Sequence, residues 1–426
     1  MKILVLNAGS SSQKSCLYDL GGDLQDNSQD SPAGKLPDTA PAPIWEAMVD
    51  WTHHQGFAEI TVKTHRGDRW TMEIESSDRA EVITKTLATL WTGETAVIAD
   101  PTAINIIGHR VVHGGAKYRE SAIINADVKQ AIADLAAFAP VHNPVNLAGI
   151  AICEHIFPNI PQVAVFDTAF HAHLSPAVYT YAIPYKYTEQ GIRRYGFHGT
   201  SHQYCRDRAA QILQRDVKDL RLITCHLGNG CSLAAIRDGQ CIDTTMGFTP
   251  LEGLVMGTRS GSIDAGILLH LLRQPDMDVD KLDRLLNRES GLLGISGMSA
   301  DLRPLIAAIA EGNPQTKLAI DVFVHRLRSH IGAMVASLGG LDAIVFTAGI
   351  GENAAIIRAL TCENFEFLGL HLDQQLNEQR PIDCDIATAD SQVRVLVIHT
   401  QEDWEIAREC WSAEEKGKRK KEKANS

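Results

Sequence analysis

The chain has 426 residues, of which 44% are hydrophobic and 22% are charged, and its formal net charge at pH 7 is -12. This length and composition suit a globular protein with two domains. The negative charge argues against a general nucleic-acid or membrane-surface binder, because phosphate backbones and anionic lipids attract positive proteins.

The cysteines and the apolar runs bear on where the protein works. The nine cysteines include no C-x-x-C pair, and the first residues are too short an apolar run for a secretory signal. No segment reaches the ~18 apolar residues of a membrane helix; the nearest candidate, 331–350, contains Asp342 and a Gly-Gly pair. These features predict a cytoplasmic protein with reduced thiols and no membrane partner.

The first hundred residues predict mainly strands. An apolar strand over 3–6, a small-residue turn over 8–11 and a second strand over 12–18 form a β-hairpin. The polar segment 21–43 predicts a surface loop, and 57–75 a second hairpin. A helix follows over 78–91, capped by Asp78.

The later elements include clear helix boundaries. An amphipathic helix is predicted over 127–139, and Asn143 with Pro144 is typical of an N-cap and first helical residue. A buried strand over 162–166 ends at Asp167. A long helix is predicted from Asn313-Pro314 to Leu338, whereas the basic tail from Lys416 onward is predicted to be disordered.

A weak internal repeat indicates a duplicated architecture. Residues 2–10 align without gaps to 221–229, and 163–168 resembles 343–348. Each half would contain a hairpin with a small-residue turn and a later apolar strand that ends in a polar loop. This order predicts two similar α/β domains that face each other across a cleft.

Two segments in the first half have the chemistry of anion sites. The turn from Asn7 to Lys14 offers backbone N–H groups, hydroxyls and one Lys to an anion, although a bland surface hairpin has the same composition. Arg110, beside the pair Gly114-Gly115, can grip a carboxylate or a phosphate in a two-pronged manner. His109 and His113 lack a third ligand, so zinc is disfavoured.

The second half adds a histidine and several glycine-rich loops. His198, flanked by glycine, suits a hydrogen bond to a substrate oxygen, whereas His202 is predicted to be structural. The segment 349–354 formally matches G-x-G-x-x-A, so a dinucleotide oxidoreductase is an alternative. Arg259 and the pair Asp301 and Arg303 are either ligand contacts or surface ion pairs.

The acidic pair near the end of the chain allows two interpretations. Glu402 and Asp403 follow the predicted strand 393–398. Such a pair can hold Mg²⁺ directly or through water. It can equally well serve as the acidic N-terminus of the next helix.

Taken together, these segments resemble the acetate kinase family, within the superfamily of two-domain sugar kinases, Hsp70-type chaperones and actin. The matching motifs run in the family's order over nearly the whole chain: N-A-G-S-S-S-x-K at 7–14, G-H-R-V-V-H-G-G at 108–115, H-N-P at 142–144, F-D-T-A-F-H at 166–171, Y-G-F-H-G-T-S-H at 195–202, H-L-G-N-G at 226–230, G-T-R-S-G at 257–261, D-x-R at 301–303, F-T-A-G-I-G-E-N at 346–353 and Glu402.

The resemblance implies a fold and an activity. The fold would be α/β, with two duplicated actin-like ATPase-type domains and a cleft between them; the domains would be 1–168 plus a C-terminal helix 403–426, and 169–402. The activity would be reversible, Mg²⁺-dependent transfer of a phosphoryl group between ATP and acetate, giving acetyl phosphate and ADP by direct in-line transfer. Mn²⁺ could replace Mg²⁺, and the protein would be a cytoplasmic homodimer without nucleic-acid or membrane partners.

The resemblance also implies roles for individual residues. Catalytic roles fall to Arg110, Asp167, His198 and Arg259, and Mg²⁺ would be held by Asn7 and Glu402. The substrate acid would contact Arg110, Val112, Val141, Phe197 and Pro250. The ATP contacts would be Lys14, His226, Leu227, Gly228, Asn229, Gly230, Asp301, Leu302, Arg303, Gly349, Ile350, Gly351, Glu352 and Asn353.

Some features depart from the family pattern or leave alternatives open. Residues 21–102 form a longer and more polar stretch than the family suggests, and Val141 stands where a slightly larger Leu is expected. A propionate or other short-chain acyl kinase is therefore an alternative, as is an Hsp70- or actin-like binding protein switched by ATP. A carboxylic acid with a pKa near ~4 is ionised at pH 7 and needs no general base, so we expect Asp167 to orient Arg110 or a Mg²⁺-bound water.

Overall fold

The computed structural model describes residues 1–9, 12–23, 36–37, 39–52, 56–76, 78–140 and 142–425. Residue contacts divide the chain into two units. Unit 1 comprises Met1–Ala169 and Gln401–Ser426, and unit 2 comprises Phe170–Thr400.

Unit 1 contains the following strands and helices before the chain enters unit 2. The strands are β1 Lys2–Ala8, β2 Ser12–Asp19, β3 Trp45–Asp50, β4 Phe57–Thr64, β5 Arg69–Glu75, β6 Ile106–Val111, β7 Ala122–Ile123 and β8 Gln162–Phe166. The helices are α1 Leu20–Asp23, α2 Arg79–Ala88, α3 Ala126–Asp134 and α4 Asn143–Ile156.

Unit 2 has its own strands and a larger set of helices. The helices are α5 Pro176–Tyr179, α6 Lys186–Glu189, α7 Gly199–Leu213, α8 Ala265–Leu271, α9 Val279–Arg288, α10 Gly291–Ser296, α11 Leu302–Ala310, α12 Pro314–Leu338, α13 Ala348–Asn353, α14 Ala355–Glu363 and α15 Gln374–Glu378. The strands are β9 Arg221–Leu227, β10 Cys231–Arg237, β11 Gln240–Thr244, β12 Ala343–Thr347, β13 Cys384–Asp385 and β14 Arg394–Val397, and the chain returns to unit 1 as α16, Glu402–Asn425.

The two sheets repeat one topology. The sheet of unit 1 has the order β5-β4-β3-β2-β1-β6-β8-β7, and that of unit 2 has the order β11-β10-β9-β12-β14-β13. In both, a central strand pairs antiparallel with the next strand in the chain and parallel with a later one: β1 with β2 and β6, and β9 with β10 and β12. The predicted duplication and the predicted hairpins are therefore confirmed.

One part of the predicted repeat is wrong. The sequence paired strand 163–166 with 343–346, but β12 occupies the place of β6, next to the central strand, and β8 corresponds to β14. Apolar buried strands look alike in sequence, since each of these strands is buried on both faces. Only the hydrogen-bond register distinguishes them.

The core of unit 1 lies on both faces of its sheet. One face packs against α2 and α4 around Trp45, Leu87 and Phe157, all of which are buried. The other face receives α16, which contacts β1, β6 and β8. This approach requires glycine at position 108, because a Cβ there would lie 2.5 Å from Cys410 Sγ and 2.7 Å from Ile406 Cγ2.

Two predicted helix boundaries had different outcomes. The long helix α12 has Asn313 as its N-cap and Gly339 as its left-handed C-cap, as predicted. The N-cap of α4 is His142 rather than Asn143, whose amide instead bonds the backbone of His113.

The basic tail also differs from its prediction. The residues after 415 continue α16 as far as Asn425 instead of being disordered. Ion pairs between Lys418 and Glu414, and between Lys416 and Glu120, stabilise its start. The predicted loop 21–43 begins with α1 and lies largely outside the described residues. None of the helices in the described part of the chain is long and apolar enough to cross a membrane.

Candidate active site

Several polar residues that the sequence predicts to be functional lie at the carboxyl ends of the parallel strands in unit 1. Asn7 lies at the end of β1, Arg110 near the end of β6, and Asp167 directly after β8. Strands β1, β6 and β8 are neighbours and run parallel, so these three side chains reach the same edge of the sheet. Glu402 joins them as the first residue of α16.

Arg110 and Asp167 form a buried ion pair. Arg110 Nη2 lies 2.5 Å from Asp167 Oδ2, and Arg110 Nε donates to Asp167 Oδ1 at 3.1 Å. Asp167 is only 1% exposed. This two-pronged contact fixes the plane of the guanidinium, and its third nitrogen, Nη1, lies 3.4 Å from Asn7 Oδ1.

The acidic start of α16 holds the other side of this cluster. Asn7 Nδ2 donates to Asp403 Oδ1 at 3.0 Å and approaches Glu402 Oε2 at 3.4 Å. Lys14, opposite Asn7 on β2, forms ion pairs with Asp403 at 2.9 Å and with Glu46 at 3.1 Å. Lys14 therefore belongs to the same cluster as Asn7 and Glu402 in this structure, whereas the sequence assigned it to ATP.

The electrostatics of this cluster favour an added cation. Burial raises the pKa of Glu402, the Arg110 guanidinium opposes this, and the neighbouring Asp167 and Asp403 charges raise it further. Burial alone would lower the pKa of Arg110 and of Lys14, but the adjacent Asp167 and Asp403 carboxylates raise both overall. The carboxylates thus carry more negative charge than the two cations neutralise.

The donor set fits Mg²⁺ by its chemistry. Asn7 and Glu402 offer an amide and a carboxylate oxygen, the hard ligands that Mg²⁺ prefers. Within the described ranges, no three His, Cys, Asp or Glu side chains are grouped as a ready-made metal site. In proteins, Mg²⁺ usually keeps several waters and is bound by one or two carboxylates together with phosphate oxygens.

In unit 2, His198 belongs to a cluster of buried and half-buried imidazoles. It is the N-cap residue of α7 and has a left-handed backbone with φ 57°, which turns the chain sharply between the glycines that precede and follow it. Its ring stacks on His226 at 4.1 Å, and its Nδ1 lies 2.9 Å from Ser232 Oγ. His226 Nδ1 in turn lies 2.8 Å from Ser201 Oγ.

Arg259 approaches the same place from a glycine-rich loop. Its Nη1 donates to the carbonyl of Pro250 at 3.1 Å. A Cβ at Gly230 would lie 3.3 Å from both Arg259 Nη1 and His198 Nε2. Gly230 therefore leaves open the space that Arg259 and His198 flank, and the structure brings these three predicted site residues together.

A separate cavity of about 730 Å³ lies in unit 2, within the range of roughly 300–1,000 Å³ typical of small-molecule sites. Eight predicted ATP residues line it: Gly228, Asn229, Asp301, Leu302, Arg303, Gly349, Ile350 and Asn353. Gly349 and Asn353 belong to the short helix α13 after β12. The loop that resembled a dinucleotide motif therefore forms a wall of this cavity.

The remaining predicted ATP residues in unit 2 have other neighbours. His226, Leu227 and Gly351 are buried and do not line the cavity. Glu352 accepts hydrogen bonds from the backbone of Ala348 at 2.8 Å and of Thr400 at 3.2 Å. Its carboxylate therefore binds backbone groups of the protein itself. Gly230 lies beside Arg259, as described above.

Asp301 and Arg303 lie at the start of α11. Asp301 is the N-cap of α11, and its carboxylate accepts from Arg303 Nε at 2.9 Å. The Arg303 side chain is 90% exposed. The pair is thus an exposed ion pair at the rim of the cavity.

Several residues of these sites carried no usable sequence signal. Ala300, Ile306 and Arg380 line the cavity, but no motif had marked them as contacts. Ala354 also lines it, and the sequence had included it only in the dinucleotide-like segment 349–354. Asp403 was considered only as one half of an acidic pair, yet it is 6% exposed and bonds both Asn7 and Lys14. The available sequence signal was that an Asp directly follows a predicted metal ligand.

The residues assigned to the acyl pocket lie in different parts of the chain. Val112 in unit 1 is 4% exposed, and Phe197 in unit 2 is 2% exposed. Pro250, also in unit 2, contacts Arg259 through its carbonyl. Val141 lies outside the described residues.

His109 and His113 are buried side chains of unit 1. Burial lowers the pKa of each imidazole to about 4, and for His109 the Gln162 amide at 2.6 Å partly opposes this. Both rings are therefore neutral core groups at pH 7.

Comparisons with known proteins agree with this geometry. The model of the Acetokinase family matches residues 2–408. The chain is 62% identical over 414 residues to a protein named acetate kinase from Gloeobacter violaceus, covering 96% of this chain and 99% of that relative.

Solved structures give the same result. The acetate kinase of Porphyromonas gingivalis has a TM-score of 0.85 at 37% identity, covering 97% of this chain and 99% of its own. A propionate kinase from Francisella tularensis has a TM-score of 0.84 at 38% identity, covering 96% and 98%. Together with the duplicated sheets, these likenesses show an α/β fold with two actin-like ATPase-type domains. The chain belongs to the acetokinase family.

Proposed function

We propose that this chain transfers the γ-phosphoryl group of ATP to acetate, giving acetyl phosphate and ADP, and catalyses the reverse reaction. The observation that carries the proposal is the cluster at the strand ends of unit 1. There Asp167 clamps Arg110 beside Asn7 and Glu402. Relatives at 54–62% identity are named acetate kinase, which supports the same activity.

The chemistry asks for charge neutralisation rather than proton transfer. Acetate is ionised at pH 7 and is already a nucleophile, but an anion must approach a polyanionic phosphate. Arg110 and Arg259 supply fixed positive charge, and His198 supplies a hydrogen-bond donor for the phosphoryl oxygens. Asn7 and Glu402 would hold Mg²⁺, which would neutralise phosphate charge, and Mn²⁺ has similar ligand preferences.

Asp167 acts as an orienting group in this proposal. Both of its oxygens accept from Arg110, so its lone pairs are directed at the guanidinium. Transfer to a carboxylate releases no proton that a base would have to take up. A fixed guanidinium, in contrast, is worth a large factor in rate, because small misplacements of reacting groups are costly.

The other predicted residues keep their roles as parts of the proposal. The cavity-lining residues of 226–230, 301–303 and 349–353 bind ATP, and Val112, Val141, Phe197 and Pro250 contact the methyl group of the acid. The domains in this proposal are 1–168 with the C-terminal helix 403–426, and 169–402. A homodimer and a cytoplasmic location complete the proposal; the absence of disulfides among the nine cysteines, all in described segments, fits a reducing compartment.

A second acid remains a specific alternative. One of the similar structures is titled a propionate kinase, and its TM-score and identity to this chain differ from those of the acetate kinase by only 0.01 and 1%. One extra methylene in an apolar pocket changes the rate by only about 10–200-fold. The preference for acetate or propionate therefore depends on small differences in the contacts of the acid with Val112, Phe197 and Pro250.

An ATP-dependent hydroxamate assay tests the proposal. Acyl phosphate formed from acetate, propionate or butyrate is trapped with hydroxylamine, with and without Mg²⁺ and ATP. We expect acetyl hydroxamate only when both are present, and loss of orders of magnitude in kcat for Arg110→Ala and Arg259→Ala. ATP hydrolysis without hydroxamate would point instead to an ATP-switched binding protein, and higher kcat/KM for propionate would correct the substrate.

A further inference from the structure

Behind His198 lies a continuous chain of buried hydrogen-bonding groups. His202 Nε2 lies 2.8 Å from Ser232 Oγ, which lies 2.9 Å from His198 Nδ1. On its other side, His202 Nδ1 lies 2.7 Å from Thr224 Oγ1. His202, Ser232 and Thr224 are each 0% exposed. We call Thr224, His202 and Ser232 the relay. Its last member, Ser232, contacts His198.

The secondary structure places these groups without strain. His202 follows His198 by four residues, one turn along α7, so both rings project from the same face of the helix. Thr224 lies on β9 and Ser232 on the antiparallel strand β10, where it pairs with His226. Helix α7 packs on β9, which brings its imidazoles to these hydroxyls.

Each link of the relay holds one proton, so the relay has a direction. Burial, followed by the nearby His171 and His226, keeps the pKa of His202 well below its usual value, and the ring is neutral. A neutral imidazole donates from one nitrogen and accepts at the other. In one direction, protons point from Thr224 toward His198 and leave the His198 proton on Nε2; in the other, His198 Nδ1 carries the proton.

The Thr224 hydroxyl decides between the two directions. If His202 donated to Thr224, the acceptor that the described residues offer to the Thr224 hydroxyl proton would be the Ala234 carbonyl, at 3.5 Å. That distance is at the limit of a hydrogen bond, and a buried hydroxyl donor without a good acceptor is costly. In the opposite direction, Thr224 donates to His202 at 2.7 Å. The direction in which Thr224 donates to His202, and which leaves the His198 proton on Nε2, is therefore the more stable.

We propose that Thr224, His202 and Ser232 are positioning residues that hold His198 as the neutral tautomer with its proton on Nε2. That nitrogen is the one near Gly230 and Arg259, where a donor is needed for a phosphoryl oxygen. The inference rests on the proposed function, because only phosphoryl transfer gives the Nε2 proton its use. The neutral tautomer supplies a donor without placing a second full cation beside Arg259.

The test pairs isosteric variants with a direct measurement of the tautomer. Nitrogen-15 NMR of the full-length protein with labelled histidine reports which nitrogen of His198 carries the proton, and His198→Asn assigns the signal. Wild-type protein is expected to show Nε2–H. In Thr224→Val, which loses the hydroxyl at constant shape, we expect a mixture of tautomers and a fall in kcat of about tenfold, with KM for ATP and acetate within about twofold.

Restoring the hydroxyl provides the matched control. Thr224→Ser is expected to recover both the Nε2–H tautomer and kcat, and Ser232→Ala, which breaks the relay at a different link, is expected to behave like Thr224→Val. Circular dichroism confirms that each variant is folded.

Two results would overturn the relay. One is a wild-type His198 protonated on Nδ1, and the other is a folded Thr224→Val that keeps Nε2–H. Failure of the wild-type protein to form acetyl hydroxamate would reject the proposed function instead, and the tautomer measurement would still decide the direction of the relay.

Discussion

At the scale of single residues, the Arg110–Asp167 pair separates orientation from base catalysis. In Asp167→Asn the side chain keeps its size but loses the charge that holds the guanidinium at 2.5 Å. We expect kcat to fall by about 100-fold, the cost of a misplacement near 1 Å. The shape of the pH–rate profile is expected to stay the same, since no proton is transferred.

The measurement is kcat over a range of pH at saturating Mg²⁺, ATP and acetate. A variant that loses the basic limb of the profile while its Mg²⁺ affinity stays normal would show that Asp167 is a general base. Asp280→Asn, at an exposed position of α9, serves as the control for the same substitution away from the site.

Glu402 gives a pH-dependent prediction. Burial and the nearby Asp167 and Asp403 raise its pKa, so below that pKa the carboxyl holds a proton that Mg²⁺ must displace. We expect Mg²⁺ affinity to fall as pH drops through the raised pKa. Outer partners of a metal are already worth about 10–100-fold in affinity, so Glu402→Gln is expected to lose at least that much, measured by calorimetric titration.

The same shift predicts an opposite effect on stability. A carboxyl with a raised pKa in the folded state stabilises the protein below the unfolded pKa, and that contribution is lost as pH rises through the folded pKa. Without Mg²⁺ at pH 7, Glu402→Gln removes an unfavourable buried charge, so its Tm is expected to exceed that of the wild type. A lower Tm for the variant in metal-free buffer at pH 7 would contradict this account.

At the scale of elements, a helix or strand was predicted correctly where local residues specify it, and incorrectly where distant contacts stabilise it. Helix α12 is specified locally, by Asn313, Pro314 and Gly339, and its bounds were predicted from sequence. The C-terminal part of α16 carries few apolar residues, and ion pairs along it stabilise a helix that composition did not predict. Sheet order depends on pairing between distant strands, so the sequence could show duplication but not which strand matches which.

The site shows the same division. Motifs at strand ends identified Asn7, Arg110 and Asp167, because parallel strands bring their carboxyl ends together. Residues that line the cavity from elsewhere, such as Arg380 with its φ of 53°, carry no local pattern. Their position depends on how distant elements pack, which one sequence does not specify.

Arg358 on α14 gives a prediction about how elements support the cavity. It is 1% exposed, and Nη1 donates to the carbonyls of Gly351 and Glu352 at 2.9 Å each. Nε and Nη2 donate to Asn377 at 2.8 and 2.7 Å. The guanidinium thus joins the end of α13, which lines the cavity, to α15.

Replacing Arg358 with Met keeps most of the volume and removes every donor. The free energy of unfolding is expected to fall by about 2–4 kcal/mol, because several buried oxygens lose their partners. The KM for ATP is expected to rise, because the end of α13 beside the cavity loses its support. Urea denaturation and initial rates measure the two effects, with the exposed Arg288→Met as the control. Unchanged stability would show that water replaces the guanidinium.

At the scale of the whole molecule, the corrected repeat shows how the duplicated sheets differ in chemistry. Using the strand register, Asn7, Arg110 and Asp167 in unit 1 match His226, Thr347 and Thr400 in unit 2. The strand ends of unit 1 thus carry a charged pair, and those of unit 2 carry an imidazole and two hydroxyl groups. Divergence after duplication fits the proposed division between a metal and acid site and a nucleotide site.

The cysteines of the two units allow this division to be tested in the intact protein. Unit 1 contains Cys16, Cys153 and Cys410, all buried, and unit 2 contains five buried cysteines and the half-buried Cys384. Burial raises the pKa of the Cys153 and Cys225 thiols. Alkylation therefore requires opening of the structure, apart from Cys384.

A ligand that binds only the folded form stabilises it by about 2.7 kcal/mol at a concentration of 100 Kd. We therefore expect ADP, without Mg²⁺, to slow alkylation of Cys225 and Cys362 in unit 2 by up to about 100-fold. Mass spectrometry of the modified peptides measures each thiol separately, and the unit 1 thiols provide the internal comparison. Protection confined to Cys16, Cys153 and Cys410 would place the nucleotide in unit 1 and refute the proposed division, because a ligand protects most strongly the unit whose opening releases it.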